Sequence, residues 1–206
     1  MMQKNSLIIV DFQKDFSNAS GRLCVEGADD ARKAIIDYIK KNIALIGEVI
    51  FTVDWHTPKH CSFKKNGGIW PAHCVQYSEG AGIDDDILHT CIDLNIPYKI
   101  FIKGNNDSVE EYGAFEKIGV AQGIHGYYIC ANNNNDTSYI TINNLNLVVA
   151  GIAGDYCVLN TIKNLEKFKS PAGETFDIHV LMDGIVSIDK GATINEYVKT
   201  NNLKIV

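Results

Sequence analysis

No dense run of Lys and Arg occurs in this 206-residue chain, and its formal net charge is −6. A nucleic-acid or anionic-membrane partner is therefore disfavoured, and a small neutral substrate would suit the charge balance. There is no CxxC pair either: Cys24, Cys61, Cys74, Cys91, Cys130 and Cys157 lie far apart, which reads as scattered thiols of a reducing compartment and not as a disulfide framework. Long apolar runs are also missing. The first, Leu7 to Val10, is interrupted by Asp11 and is too short for a signal-peptide core or a membrane span, so the chain is expected to be cytoplasmic. The glycines between Gly151 and Gly154 resemble a phosphate loop, but no GxGxxG or GxxxxGK pattern is present and nucleotide binding gains no support. Without an internal repeat or a Pro-rich linker, residues 1–206 are expected to form one domain, long enough to bury roughly 70% of the surface its unfolded chain exposes.

What is present is an alternation of apolar strand signals with helical periods. Ile- and Val-rich runs near 6–10, 49–53, 98–102, 147–152, 178–182 and 203–206 predict a mainly parallel, six-stranded sheet in an α/β fold. Ala31, Ile35, Ile39, Ile43 and Ile46 recur at helical spacing behind the acidic start Asp29–Asp30 and predict an amphipathic helix with dipole-favourable charges. Val158, Ile162, Leu165 and Phe168 repeat the period. That second helix puts Cys157 in its first turn, where the dipole would favour thiolate over thiol. The segment from Thr57 to Gly82, rich in Gly, Lys and His, reads as a long active-site loop. YYIC and SYITI flank ANNNND and predict a hairpin whose turn sits in the Asn run.

Four of the apolar runs end on reactive side chains: Asp11, Asp54, Lys103 and Cys157. A parallel sheet gathers the carboxyl ends of its strands along one edge, so these residues should meet where α/β proteins bind ligands. Cys157 would be the nucleophile, Lys103 would stabilise its thiolate by charge, and Asp11 would exchange the proton. Asp54 also opens the segment DWHTPKH, in which Asp54 and His56 project to one side of an extended chain, with His60 and His73 following on the loop. A carboxylate with imidazoles suits Zn²⁺, Mn²⁺ or Fe²⁺. The aromatics Phe16, Trp70 and Tyr112 could wall a planar substrate.

Taken together, IIVDFQKDF, VDWHTPKHCSF, WPAHCV, IKG followed by EYGAF, and GIAGDYCV resemble, in order, the motifs of the nicotinamidase (pyrazinamidase) branch of the isochorismatase-like cysteine hydrolases. The match spans Leu7 to about Thr161, and MDGIVSID fits the last third. The resemblance implies a three-layer α/β/α fold. It places the catalytic trio on Asp11, Lys103 and Cys157, and one divalent metal ion, zinc first and iron or manganese otherwise, on Asp54, His56 and His73. It implies that the metal holds the pyridine nitrogen of nicotinamide, with Phe16 and Trp70 packing the ring and Tyr112 a weaker match. It also maps a cis peptide to Ile152–Ala153 and an oxyanion hole to the backbone N–H groups of Ala153 and Cys157. Hydrolysis of nicotinamide to nicotinate and ammonia, in NAD salvage, is the implied activity, with pyrazinamide an additional substrate and a homo-oligomer allowed.

Two departures stand out. Members usually have a helix where this chain has Tyr127–Asn144, and many carry Thr at the position of Gly154. His60 could be a fourth metal ligand or a group supporting one. Rival readings are a same-fold hydrolase of isochorismate, a carbamoyl compound or a ureide, which generally lacks the metal set, and a non-catalytic metal-binding protein.

Overall fold

The computed structural model describes residues 4–123, 126–132, 140–168 and 177–206. Its main sheet contains β1 (Asn5–Val10), β2 (Ile46–Asp54), β3 (Tyr98–Lys103), β7 (Asn146–Ile152), β8 (Asp177–Val186) and β9 (Lys204–Ile205) in the order β3-β2-β1-β7-β8-β9. All pairings in this sheet are parallel. Each predicted strand is present. A separate antiparallel sheet is built from β4 (Lys117–Gly123), β5 (Gly126–Asn132) and β6 (Ile140–Ile142).

Alternation along the central strands makes the layers. Leu7, Ile9, Val49, Phe51, Val148 and Ala150 face one core together with Ile35 and Ile39 of α2 (Ala28–Lys41) and Ile87 and Cys91 of α3 (Asp85–Asp93). Ile8, Val10, Ile50, Leu147 and Val149 face the other, against Ile162 and Leu165 of α4 (Leu159–Lys167) and Ile194 and Val198 of α5 (Ala192–Thr200). Strands buried on both faces read as unbroken apolar runs because every side chain, up or down, meets a helix layer. A short helix, α1 (Lys14–Ser17), follows β1.

The predicted hairpin is seen as β5 paired antiparallel with β6, with Ile129 opposite Ile142; its turn in the Asn run lies outside the described residues. Strands therefore occupy part of the Tyr127–Asn144 segment, as the hairpin reading expected. Three expectations need correction. The first helix ends at Lys41, not beyond Ile43: Asn42 closes it with backbone and side-chain N–H groups donating to Tyr38 O, and Ile46 instead opens β2. Strand β4 was not anticipated, since KIGVAQG has neither a clean alternation nor a long apolar run. Finally, Cys157 lies in a π-turn, Gly154–Val158, which precedes α4. The Val158 N–H donates to Ala153 O, five residues back.

Candidate active site

Parallel register brings the strand-end residues together. Asp54 pairs with Lys103 across β2 and β3, and Val10, just before Asp11, pairs with Thr52 and Gly151. Asp11 takes φ +46°, uncommon for a non-glycine residue, and its N–H donates to Thr52 O at 3.0 Å. The turn directs its carboxylate inward, where Oδ1 accepts from Thr52 Oγ1 at 2.6 Å and Oδ2 lies 2.9 Å from Lys103 Nζ. Lys103 is buried. Its ammonium also donates to Asp54 Oδ1 at 2.5 Å and to Glu111 O at 3.0 Å, and lies 3.8 Å from Cys157 Sγ.

Burial dominates the electrostatics of this cluster. It alone would lower Lys103, but the Asp11 and Asp54 carboxylates more than offset it and hold the ammonium well above its ordinary value. Burial raises the Asp11 carboxyl, with Lys103 opposing. Asp54 ends on the other side of its ordinary value: burial pulls upward, yet Lys103, His56 and His73 prevail and keep it ionised. Burial likewise pushes the Cys157 thiol well up, and Lys103 offsets only part of the effect. The helix start thus does not hold Cys157 as a standing thiolate; its proton must be taken by a base within reach, and Asp11 is the near one.

Metal-ligand character is carried by the tautomers. His56 Nδ1 is 2.7 Å from Gly104 O and His73 Nδ1 is 2.8 Å from Pro71 O. A carbonyl only accepts, so each Nδ1 carries a proton and, in the neutral ring that a metal requires, each Nε2 offers its lone pair. Those two nitrogens lie 3.4 Å and 4.0 Å from Asp54 Oδ2, and His56 Nε2 is buried with no hydrogen-bond partner. Donors this close around one point match an ion with bonds of about 2.0–2.2 Å, so the residues present fit a metal.

Beside the trio is a pocket lined by Phe16, Leu23, Val25, Asp54, Trp70, His73, Glu110, Tyr112, Ala153, Tyr156, Cys157 and Ile188. Trp70 Nε1 donates to the Tyr112 hydroxyl at 3.0 Å, and the Tyr156 ring packs 5.2 Å from Trp70 and 5.3 Å from Tyr112. Phe16 lies 5.4 Å from the His73 ring. The peptide between Ile152 and Ala153 is cis.

No family model matches the chain. It is 32% identical to a nicotinamidase of Escherichia coli over 78% of this chain and 76% of that protein. To a nicotinamidase of Acinetobacter baylyi it is 30% identical, over 94% of this chain and 87% of that protein. The chain belongs to the nicotinamidase family. The crystal structure of a pyrazinamidase of Pyrococcus horikoshii in complex with zinc superposes with a TM-score of 0.69 at 26% identity, covering 98% of each chain.

Within this nicotinamidase framework, all the site residues named from the sequence meet at one sheet edge, and several others join them. Tyr156, Glu110, Leu23, Val25 and Ile188 line the pocket without having been singled out. Gln13 was missed as well. Its side-chain amide donates to Asp54 O and Ala81 O at 2.8 and 2.9 Å and accepts from the Asp54 N–H at 2.8 Å, clamping the end of β2. The available signal was its place inside IIVDFQKDF. Gly104, with φ +66°, brings its carbonyl against His56; a Cβ there would lie 2.5 Å from His56 Cε1.

Proposed function

We propose that this chain, folded as one domain, is a metal-dependent cysteine amidase that hydrolyses nicotinamide to nicotinate and ammonia and also accepts pyrazinamide. The observation that carries this reading is the juxtaposition of a buried Asp11–Lys103–Cys157 cluster with the Asp54–His56–His73 donor set beside an aromatic pocket. Same-fold hydrolases of isochorismate, carbamoyl or ureide substrates share the trio but generally lack that donor set. Asp54, His56 and His73 would hold one divalent ion, zinc in first place; the pyrazinamidase of P. horikoshii was solved in complex with zinc. When bound, the ion supplies a Lewis-acid anchor for a ring nitrogen.

The chain's own residues do the bond chemistry. Phe16, Trp70, Tyr112 and Tyr156 hold the ring, which leaves the carboxamide toward Cys157. Asp11 takes the thiol proton as sulfur attacks the amide carbon, and Lys103 balances the negative charge that passes between sulfur and carboxylate. The carbonyl oxygen of the tetrahedral adduct accepts from the N–H groups of Ala153 and Cys157. As the C–N bond breaks, Asp11 returns its proton to the leaving nitrogen and ammonia departs. Asp11 then takes a proton from water, whose oxygen attacks the thioester; as the C–S bond breaks Asp11 returns that proton to sulfur, restoring the thiol, and the acid product gives up its own proton to solvent and leaves as nicotinate.

Ammonia release from nicotinamide by the purified, metal-loaded chain is the direct test. Turnover that Cys157→Ala abolishes supports the assignment, and a native chain that releases no ammonia would remove it.

A further inference from the structure

His56 is the most tightly caged of the metal-facing side chains. One edge of its ring is held by Gly104 O at 2.7 Å, the Phe63 ring stands edge-on at 5.6 Å and 89°, and one face is covered by the His60 ring, with centroids 3.9 Å apart and planes inclined by 30°. His60 is itself immobilised. Its Nδ1 lies 2.7 Å from Ser62 Oγ and its Nε2 lies 3.1 Å from Val109 O, while the Asn66 amide donates to its backbone carbonyl at 2.9 Å. Val109 O accepts only, so Nε2 carries the proton and has no lone pair to offer; the Nδ1 lone pair faces the Ser62 hydroxyl and N–H. Both ring nitrogens are thus committed, one within the loop and one to the segment after β3, and what His60 presents to His56 is the flat face of a ring.

We propose that His60 is a positioning residue for the metal ligand His56 and not a ligand itself: its fixed ring sets the plane of His56 and so keeps Nε2 directed toward Asp54 Oδ2. The proposal rests on the metal-binding reading above. Hydrogen-bonded outer partners of ligating imidazoles typically carry about 10- to 100-fold of metal affinity by fixing the ring, and a stacked ring that fixes the same plane is assigned an effect of that order. A rival assignment exists in the same place, because His56, His60 and Glu110 also bring donor atoms within 4.8 Å of one another and could hold a second ion.

The test uses the full chain stripped of metal and titrated with Co²⁺, reading stoichiometry, affinity and the ligand-field absorption spectrum. For His60→Ala we expect one equivalent bound, about 10- to 100-fold weaker, with the native spectrum at saturation. His60→Phe, which keeps a ring on the His56 face, should recover most of the affinity. Unchanged affinity in His60→Ala overturns the proposal, as does a saturated spectrum altered in the way loss of an imidazole requires. A second equivalent in the native chain that His60→Ala removes also overturns it and assigns the rival site. Should His60→Ala not fold, Ser62→Ala frees one end of the ring: severalfold weaker Co²⁺ binding supports the proposal, and unchanged binding overturns it. The titration involves no amide, so a chain that binds Co²⁺ as expected yet releases no ammonia from nicotinamide would sink the functional reading alone.

Discussion

Asp54 and Lys103 are in direct contact, with Oδ1 of the first 2.5 Å from Nζ of the second, while the other oxygen of the same carboxylate faces His56 and His73. The residue proposed to hold the metal is therefore also a partner of the residue proposed to support the nucleophile. Removing it should disturb two functions that other substitutions separate.

His56→Ala is expected to cost metal binding and to raise KM and slow acylation, yet to leave alkylation of Cys157 by iodoacetamide within a few-fold of native. Asp54→Asn should lose metal too, but with a different thiol. The Asp54 charge raises the Cys157 thiol, so its removal should accelerate alkylation at neutral pH. Equal alkylation rates in the two variants would argue against the influence of the Asp54 charge on the thiol.

The pH–rate profile follows from the directions of the shifts. Burial raises Asp11 above the ordinary carboxylate range, so the base is lost by protonation at a higher pH than an exposed Asp, near 3.9, would show, and the acid limb of kcat/KM moves up. Burial also raises the Cys157 thiol, so the proton shared by the pair is lost late and the alkaline limb moves above about 8.5. The two limbs belong to the coupled pair and not to either residue alone. Asp11→Asn should abolish the acid limb along with most of the rate. An acid limb that survives in that variant would assign it to another group.

Substrate orientation should depend on a ring nitrogen meta to the carboxamide. A misplacement of about 1 Å can cost on the order of 100-fold in rate. Benzamide, which lacks the nitrogen, and isonicotinamide, which has it para, are both expected to fall far below nicotinamide, whereas pyrazinamide keeps the meta relation and should be hydrolysed. Comparable kcat/KM for benzamide and nicotinamide would leave an amidase of unassigned substrate.

A stability prediction concerns Glu48, buried in β2 far from the trio. Its carboxylate accepts from Ser6 Oγ, Lys99 Nζ and both nitrogens of Asn143, and Lys99 also donates to Thr141 O. This network ties the end of β6 to the main sheet. Glu48→Ala should destabilise the fold by on the order of 3 kcal/mol, because several donors lose their acceptor at once. Denaturant unfolding measures it; a loss below about 0.5 kcal/mol would mean that the network contributes little beyond what water replaces.

Strand positions and the identity of the reactive strand ends were legible in the sequence for one physical reason. A central parallel strand buried on both faces is largely apolar, so the charged residue that ends such a run marks the sheet edge, as Asp11 and Asp54 do; Lys103 ends the half-exposed edge strand β3, and Cys157 follows in the turn after β7. The histidines of DWHTPKH and WPAHCV stood out as candidate ligands because metal-ligand chemistry limits the residue types that can serve. Other features depended on chain segments that only tertiary structure brings together. Gln13 is paired with main chain 41 and 68 positions away, and Tyr156, Glu110 and Ile188 acquire a role only once the pocket closes around them. The end of the first helix at Lys41 was hidden because Ile43 and Ile46 continue a helical period by chance while Asn42 caps. The state of the Cys157 thiol was decided by burial, since a local dipole and one ammonium do not offset the desolvation of a charge and its two neighbouring carboxylates. The proposal that His60 braces a metal ligand and is not one itself rests on Ser62 and Val109 occupying its two nitrogens, and Val109, 49 positions away, reaches it only in the folded chain.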